Sequence, residues 1–563
     1  MRIILIKIFF IVIICFYQST AYSKTNDKSE FNHKFLSNYF SALISYDNQN
    51  NQKALKYFNL SKTLESKNQT YMKKYLFSLV NDGQINKAIK QIKFWKNNKD
   101  SDFFEMNILL LVDALNRKDF KKSKIFLSNL KNLKNSNTYE TVIYETLKSY
   151  FDLFDKKKIN NESEYNFGRL SIITNAFQNC YLDSKKTNSL FLNLINSPDG
   201  DYSRYLFFYL AKKIKEKEYE TAKQISSTID PIANGLLVLQ TKYWVDNLDF
   251  EKFNKIFSCE NEKHLLSEFF FLIANLYSSD EEYNYSNFYL NISNYLNSNF
   301  YYNLTLLFEN YFIIENYDAS RKILNKFGNR GDMYNWYKIK NISKILYIQE
   351  NEIRSLRFVE SKFNKIKNPS VKIIFDMGNI YKRSKKYEKA IEFYTKAMEQ
   401  LDEMSASYAD ILYRRGGSYE RIKKYKLSDI DLINSLKIVP NDPYVTNYLA
   451  YSWLERNYKI EESLDMLQEA YEQKKNDPYI IDSIGWANYL IKDYQKAEKY
   501  LLRALELMPN DPIVNDHYGD ILWMLNRKIQ ARYFWNNALK QEDTEKEMKK
   551  KIEEKLLNGI SNL

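Results

Sequence analysis

Small and bulky side chains recur through the second half of this chain at a fixed interval, and the interval predicts repeated pairs of antiparallel helices. Between residues 371 and 540 the small residues form three series. The first is Gly378, Gly416, Ala450, Gly485 and Gly519, at spacings of 38, 34, 35 and 34. The second, Ala390, Ser428, Ser463, Ala497 and Ala531, follows the first by 12 or 13 residues. The third, Ala397, Ser435, Ala470, Ala504 and Ala538, follows the second by seven. Two helices approach closely only where the facing side chains are small, and larger residues must fill the space around them. Those larger residues are also periodic. Tyr381 and Tyr419 fall three after the first series, while Tyr394, Leu432, Leu467, Leu501 and Trp535 fall four after the second. Pro440, Pro443, Pro478, Pro509 and Pro512 stand where one unit passes to the next, stopping one helix and starting another.

This arrangement resembles the tetratricopeptide repeat over residues 371–540, as five recognisable units. The resemblance implies an all-α fold, a right-handed α-solenoid superhelix of helix-turn-helix repeats. Upstream, over 24–370, the units are degenerate but keep phase. Ser286, Ser320, Ser355 and Ala390 are separated by 34, 35 and 35, and Ala54, Ala88 and Ser123 by 34 and 35. Ala222 and Phe253 fit the same place in two further units, while 140–205 reads as helical without a register. Residues 541–563, rich in Glu and Lys, read as a capping helix that covers the last apolar face.

Composition agrees with helices: 12 Gly and 8 Pro in 563 residues are too few for the turns of a β-rich fold. The N-terminus reads as an export signal. Arg2 and Lys7 precede a short apolar core over 8–17, and Ser19-Thr20-Ala21 suits cleavage after Ala21 or Ser23. The apolar run is too short to span a bilayer, and an uncleaved anchor in the inner membrane is the alternative. Cys15 lacks the small residues of a lipoprotein cleavage box, so no lipid anchor is expected. The mature chain then keeps only Cys180 and Cys259, which an oxidising compartment would allow to pair. Because a solenoid joins neighbouring repeats and these lie 79 residues apart, two separately buried thiols are the expectation.

The net charge of +13 falls to +11 without Arg2 and Lys7, and residues 443–540 hold 12 Lys and Arg against 14 Asp and Glu. A basic front and a mildly acidic rear allow peripheral contact with an anionic membrane surface. Nucleic acid is not an expected partner, since phosphate contacts would need cations along the acidic rear.

Catalytic chemistry is missing from the sequence. His33, His264 and His517 lie in distant units, and no hydrolase, zinc-protease or phosphate-loop motif occurs, so no enzyme activity, cofactor or metal is expected. Gly416-Gly417 falls inside a helix, where smallness serves packing. His517, within Asn515-Asp516-His517-Tyr518-Gly519-Asp520, reads as a hydrogen-bonded structural histidine.

The resemblance instead implies a binding groove on the first helix of each unit. Carrying its groove positions onto the last three units selects Tyr444, Asn447 and Tyr451, then Tyr479, Asp482, Trp486 and Tyr489, then Asp516, Asp520 and Trp523. Rings and acids at these places suit an extended peptide. A clamp for a terminal carboxylate is not implied, since Lys372, Asn379, Lys382 and Arg383 match that pattern too thinly. The last 90 residues or so also resemble the C-terminal repeats of exported proteobacterial tetratricopeptide proteins, one branch of which is a lipoprotein adaptor for a carboxy-terminal-processing protease. The expectation is therefore a periplasmic scaffold or adaptor for a protein or peptide client, such as an envelope protease or assembly factor. A glycan-handling factor or envelope enzyme with an aromatic groove is the alternative.

Overall fold

Helix starts in this protein are written in its proline positions. In a computed structural model, which describes residues 33–95, 102–135, 138–159, 165–328, 331–542 and 544–560, the described residues contain thirty α-helices and no strand. The export signal and Cys15 lie outside the described residues. The helices from residue 371 onward are labelled here α1 (Val371–Arg383), α2 (Tyr387–Met398), α3 (Ala406–Arg421), α4 (Tyr425–Ile438), α5 (Pro443–Leu454), α6 (Ile460–Gln473), α7 (Pro478–Leu490), α8 (Tyr494–Leu507), α9 (Pro512–Met524), α10 (Lys528–Lys540) and α11 (Lys546–Asn558). Helices α5, α7 and α9 each open with proline in the first turn, behind an aspartate N-cap. One carboxylate oxygen of Asp442, Asp477 and Asp511 accepts two backbone N–H groups in each case, at 2.8–3.2 Å. Proline sacrifices no hydrogen bond there, because the first N–H groups have no intrahelical partner.

The turn inside each helix pair carries a second repeated signature. Lys385, Lys423, Asn457, Lys492 and Asn526 all adopt positive φ, between +50° and +66°. That left-handed residue ends the first helix and reverses the chain into the second. The same feature marks the degenerate half: Gln49, Gly83 and Lys118 lie 34 and 35 residues apart, and Asp183, Lys217, Leu248, Glu281 and Glu315 follow at intervals of 31–34. Asp183 therefore supplies the register that the sequence between 140 and 205 does not reveal.

All three small-residue series are buried between the helices of each pair. The bare backbone of a first-series glycine is the seat of the large side chain four after the second series. A Cβ at Gly378 would come within 2.7 Å of the Tyr394 ring, and one at Gly485 within 2.7 Å of Leu501 Cγ. At Gly519 it would collide with Trp535. Upstream, Ala54, Ala88, Ser123, Ala222, Phe253, Ser286 and Ser320 are fully buried on second helices in the same way. The repeat is thus an all-α solenoid unit in both halves, strict in one and worn in the other.

The chain divides into two compact units, one of residues 1–165 and 266–296, the other of 166–265 and 297–563. In the first, the helix Tyr283–Leu296 returns to pack on Gln69–Asn81, with Phe288 stacked on Phe77 at 4.5 Å and Asn287 donating to Gln49 Oε1 at 2.9 Å. In the second, Cys180 and Cys259 form a disulfide across 5.6 Å between Cα atoms, correcting the expectation of separate thiols. The physical reason is helix length. The second helices here shrink to nine residues (Tyr219–Ser227) and six (Glu251–Ile256), so the chain doubles back early. Phe257 then packs on both Phe208 and Phe177, with ring centroids 4.6 and 5.8 Å away, and Cys259 arrives beside the end of the helix Arg169–Tyr181.

Candidate functional site

Within the second unit the five pairs from 371 to 540 curve strongly. Lys385, in the turn of the first pair, reaches Glu545 at the N-cap of α11, 3.2 Å away. Tyr451 on α5 comes within 6.4 Å of the His517 ring on α9, two pairs later. The first helices α5, α7 and α9 therefore turn one face toward one another, and the ten residues expected from the sequence lie on these helices in three groups, with Asn447 apart.

Tyr444 and Tyr479 are open. They are 49% and 60% exposed, each one residue after the proline of its helix. Lys474 lies over the Tyr444 ring at 5.8 Å, a contact that leaves much of the ring accessible. Ile513 occupies the same place on α9 and is 44% exposed. It was not among the residues expected from the sequence, although the shared Asn-Asp-Pro start at 441, 476 and 510 marks all three.

Tyr451, Asp482, Trp486 and Tyr489 are drawn into a stack around His517. The His517 ring lies 4.1 Å from Trp486 at 13°, and Tyr489 covers the other side of the indole at 4.6 Å and 8°. His517 Nδ1 bonds both oxygens of Asp482 at 3.0 Å. Burial opposes the charged imidazole, but the Asp482 carboxylate, helped by Asp516 and Glu455, outweighs it and raises the histidine to about 9. His517 is thus an imidazolium at neutral pH, locked between a carboxylate and an indole face. Burial also pushes the Tyr451 hydroxyl far up, with Glu455 adding to the effect.

A pH prediction follows. Because the folded value lies above the ordinary 6.5, stability from this pair is complete below pH 6.5 and is lost as pH rises through about 9. The loss is at most about 3 kcal/mol. Urea titrations of the wild-type protein at pH 6.5 and 9.5 are expected to differ in this direction, and the His517→Gln difference to be much smaller; equal pH responses in the two proteins would refute the assignment.

Asp516, Asp520 and Trp523 face the last helix. Lys555 on α11 contacts Asp516 at 2.9 Å and Asp520 at 2.7 Å, and Asp520 also accepts the Trp535 indole N–H at 2.9 Å. Burial and the Asp516 carboxylate push Asp520 up to about 6 against the pull of Lys555. Trp523 lies beside Trp535 and under Arg532, with Gly559 against its edge. These three residues seat the capping helix, a role the sequence does not announce because Lys555 is one of several lysines in that helix.

Two polar atoms in the groove lack partners. Asn447 Oδ1 and Trp486 Nε1 are buried and accept or donate no hydrogen bond. A buried group left so costs about 1–3 kcal/mol. On the earlier helix α1, Lys372 pairs with Asp376 at 3.2 Å and Asn379 Oδ1 accepts from Tyr394 at 2.8 Å. Burial, with Arg414 and Arg421 nearby, lowers Lys382 to about 8. Among the described residues no group of three His, Cys, Asp or Glu side chains could hold a metal, and no helix is long and apolar enough to cross a membrane.

Comparison with known proteins places these helix pairs. The family model described as tetratricopeptide repeat matches residues 371–400 and 481–511. The TPR repeat-containing protein PA4667 of Pseudomonas aeruginosa is 29% identical over 128 residues, which is 22% of this chain and 22% of that protein. The match thus spans under a quarter of that relative's length. Among solved structures, a tetratricopeptide repeat protein from Parabacteroides merdae is similar over 45% of this chain and 97% of its own, at 14% identity and a TM-score of 0.38. The thermophilic TPR protein TTC0263 of Thermus thermophilus is similar over 33% of this chain and all of its own, at 16% identity and a TM-score of 0.29. The 34-residue period, the buried small-residue series and the family match agree that residues 371–400 and 481–511 are tetratricopeptide repeats.

Proposed function

We propose that this protein is an exported scaffold of the cell envelope, holding a protein client in the groove formed by α5, α7 and α9, with no chemistry of its own. Tetratricopeptide repeats generally serve protein–protein interaction. The observation that carries the groove assignment is the set of open apolar side chains Tyr444, Tyr479 and Ile513 at the same place on the three helices. Exposed aromatic rings offer rigid contact area. The signal-like N-terminus supports a place outside the cytoplasm, in the periplasm, for the mature chain.

The test uses the full chain as bait against an envelope fraction. Tyr444→Ala and Tyr479→Ala together should leave folding unchanged, because both rings are exposed, and lower recovery of the bound client by about tenfold or more. Undiminished recovery would remove the client from this groove. Residues 1–23 fused to a reporter active only outside the cytoplasm test export separately. Retention on purified peptidoglycan, with no protein client, would favour the glycan reading instead.

A further inference from the structure

A cavity of about 370 Å³ opens upstream of the client groove, among the helices Asn303–Ile313, Asp332–Gln349, Glu352–Phe363 and α1. Buried Leu356 and Ile380 form part of its lining. Phe312, Tyr347 and Ile348 also line it, and the last two are each more than half exposed. Open apolar side chains grouped around a hollow mark binding sites, and those for small molecules span about 300–1,000 Å³.

Two cations share this lining, Lys344 and Arg383, both exposed. Neither enters an ion pair among the described residues, whereas Lys340 and Lys372 both take Asp376, at 2.7 and 3.2 Å. Burial and the charges of Lys340 and Arg383 lower the Lys344 ammonium, against the weaker pull of Glu309 and Asp376. An anion brought beside Lys344 and Arg383 therefore gains two charge-assisted hydrogen bonds without displacing a protein carboxylate. Glu352 lines the cavity as well, and its charge opposes a second negative charge on the ligand.

Size separates an alkyl chain from a peptide side chain. An apolar cavity of about 150 Å³ holds a benzene molecule. At about 370 Å³ this one is more than twice as large, so a single aromatic ring would leave over half of it empty. A flexible alkyl chain can fill it. A peptide backbone would also find few partners, because the hydroxyls of Ser343 and Ser355 in the lining bond each other at 2.8 Å.

We infer that this cavity binds a single-chain amphiphile with one negative charge, a fatty acid, whose carboxylate meets Lys344 and Arg383 and whose alkyl chain lies against Tyr347, Leu356 and Ile380. The site is separate from the groove of α5, α7 and α9 and takes a different ligand.

The experiment is isothermal calorimetry on the full chain with three probes below their micelle concentrations: laurate, dodecyltrimethylammonium and acetate. The first two share an alkyl chain and differ in the sign of the head, and the third is a head without the chain. Laurate is expected to bind once per chain, about tenfold or more tightly than dodecyltrimethylammonium, and acetate to show no binding. Lys344→Gln with Arg383→Gln should weaken laurate about tenfold and leave dodecyltrimethylammonium unweakened, with unchanged circular dichroism because both side chains are exposed. Tyr347→Ala, also at an exposed position, should weaken both twelve-carbon probes. Equal affinity for laurate and dodecyltrimethylammonium, or laurate binding untouched by the two glutamines, overturns the inference. So does capture of the protein on phosphatidylglycerol vesicles without binding of free laurate, which would make this face a membrane contact instead.

Discussion

Trp535→Ala is expected to be among the most damaging single substitutions in the last repeats, destabilising the region around α9, α10 and α11 by about 3–5 kcal/mol. The indole is fully buried and fills the space above Gly519, where no Cβ could stand. Its N–H donates to Asp520, whose carboxylate is also held by Lys555 of the capping helix. Truncation therefore does two things at once: it opens a cavity under α9 and removes one of the donors that satisfies a buried acid. Solenoid stability is a sum over repeats and their interfaces, so the damage should stay local. Hydrogen exchange is expected to accelerate through 512–560 with little change in 371–440. Unchanged protection in α10 and α11 would show that the indole does not clamp the cap. The conservative Trp535→Phe should recover most of the packing but not the bond to Asp520, and should fall between the two.

The second large effect concerns the link between Cys180 and Cys259. Replacing both with serine is expected to cost about 2–4 kcal/mol, with a chain-entropy limit near 4.5 kcal/mol for a closed loop of this length. The segment it closes contains the three shortest second helices, Thr187–Ile195, Tyr219–Ser227 and Glu251–Ile256. Short helices bury little apolar surface, so this part of the unit depends on the cross-link more than the strict repeats do. Comparing urea midpoints of the wild-type and double-serine proteins checks this, and a shift below about 0.5 kcal/mol would show that Phe177, Phe208 and Phe257 hold the fold unaided. A disulfide also agrees with the proposed location outside the reducing cytoplasm.

How much of this was legible beforehand depends on the kind of signal. Gly485 and Trp535 were readable because close packing leaves a chemical trace: only small residues fit where helices touch, and the complementary large residue must follow at a fixed distance. The αL turn residues were only partly readable: Gly83, Asn457 and Asn526 suit the turn, but lysine, glutamate, aspartate, glutamine or leucine occupies the others, where glycine or asparagine would announce it. That is why the pair around Asp183 had no register in the sequence. The groove was read by position, and of its ten residues Tyr444 and Tyr479 are exposed. Position could not tell that His517 would gather Trp486 and Asp482, nor that Lys555 would take Asp516 and Asp520, since each partner comes from the next first helix or the cap.

Sequence alone thus determined the repeated helix pair, its small-residue seams and its proline-marked starts, because these depend on contacts within 34 residues of chain. Tertiary structure decided the rest. The disulfide at 79 residues' separation, the stack of Tyr489, Trp486 and His517, and the capture of the groove acids by the last helix all depend on how tightly successive pairs curve. Curvature is the sum of small angles across many interfaces, and no single residue records it.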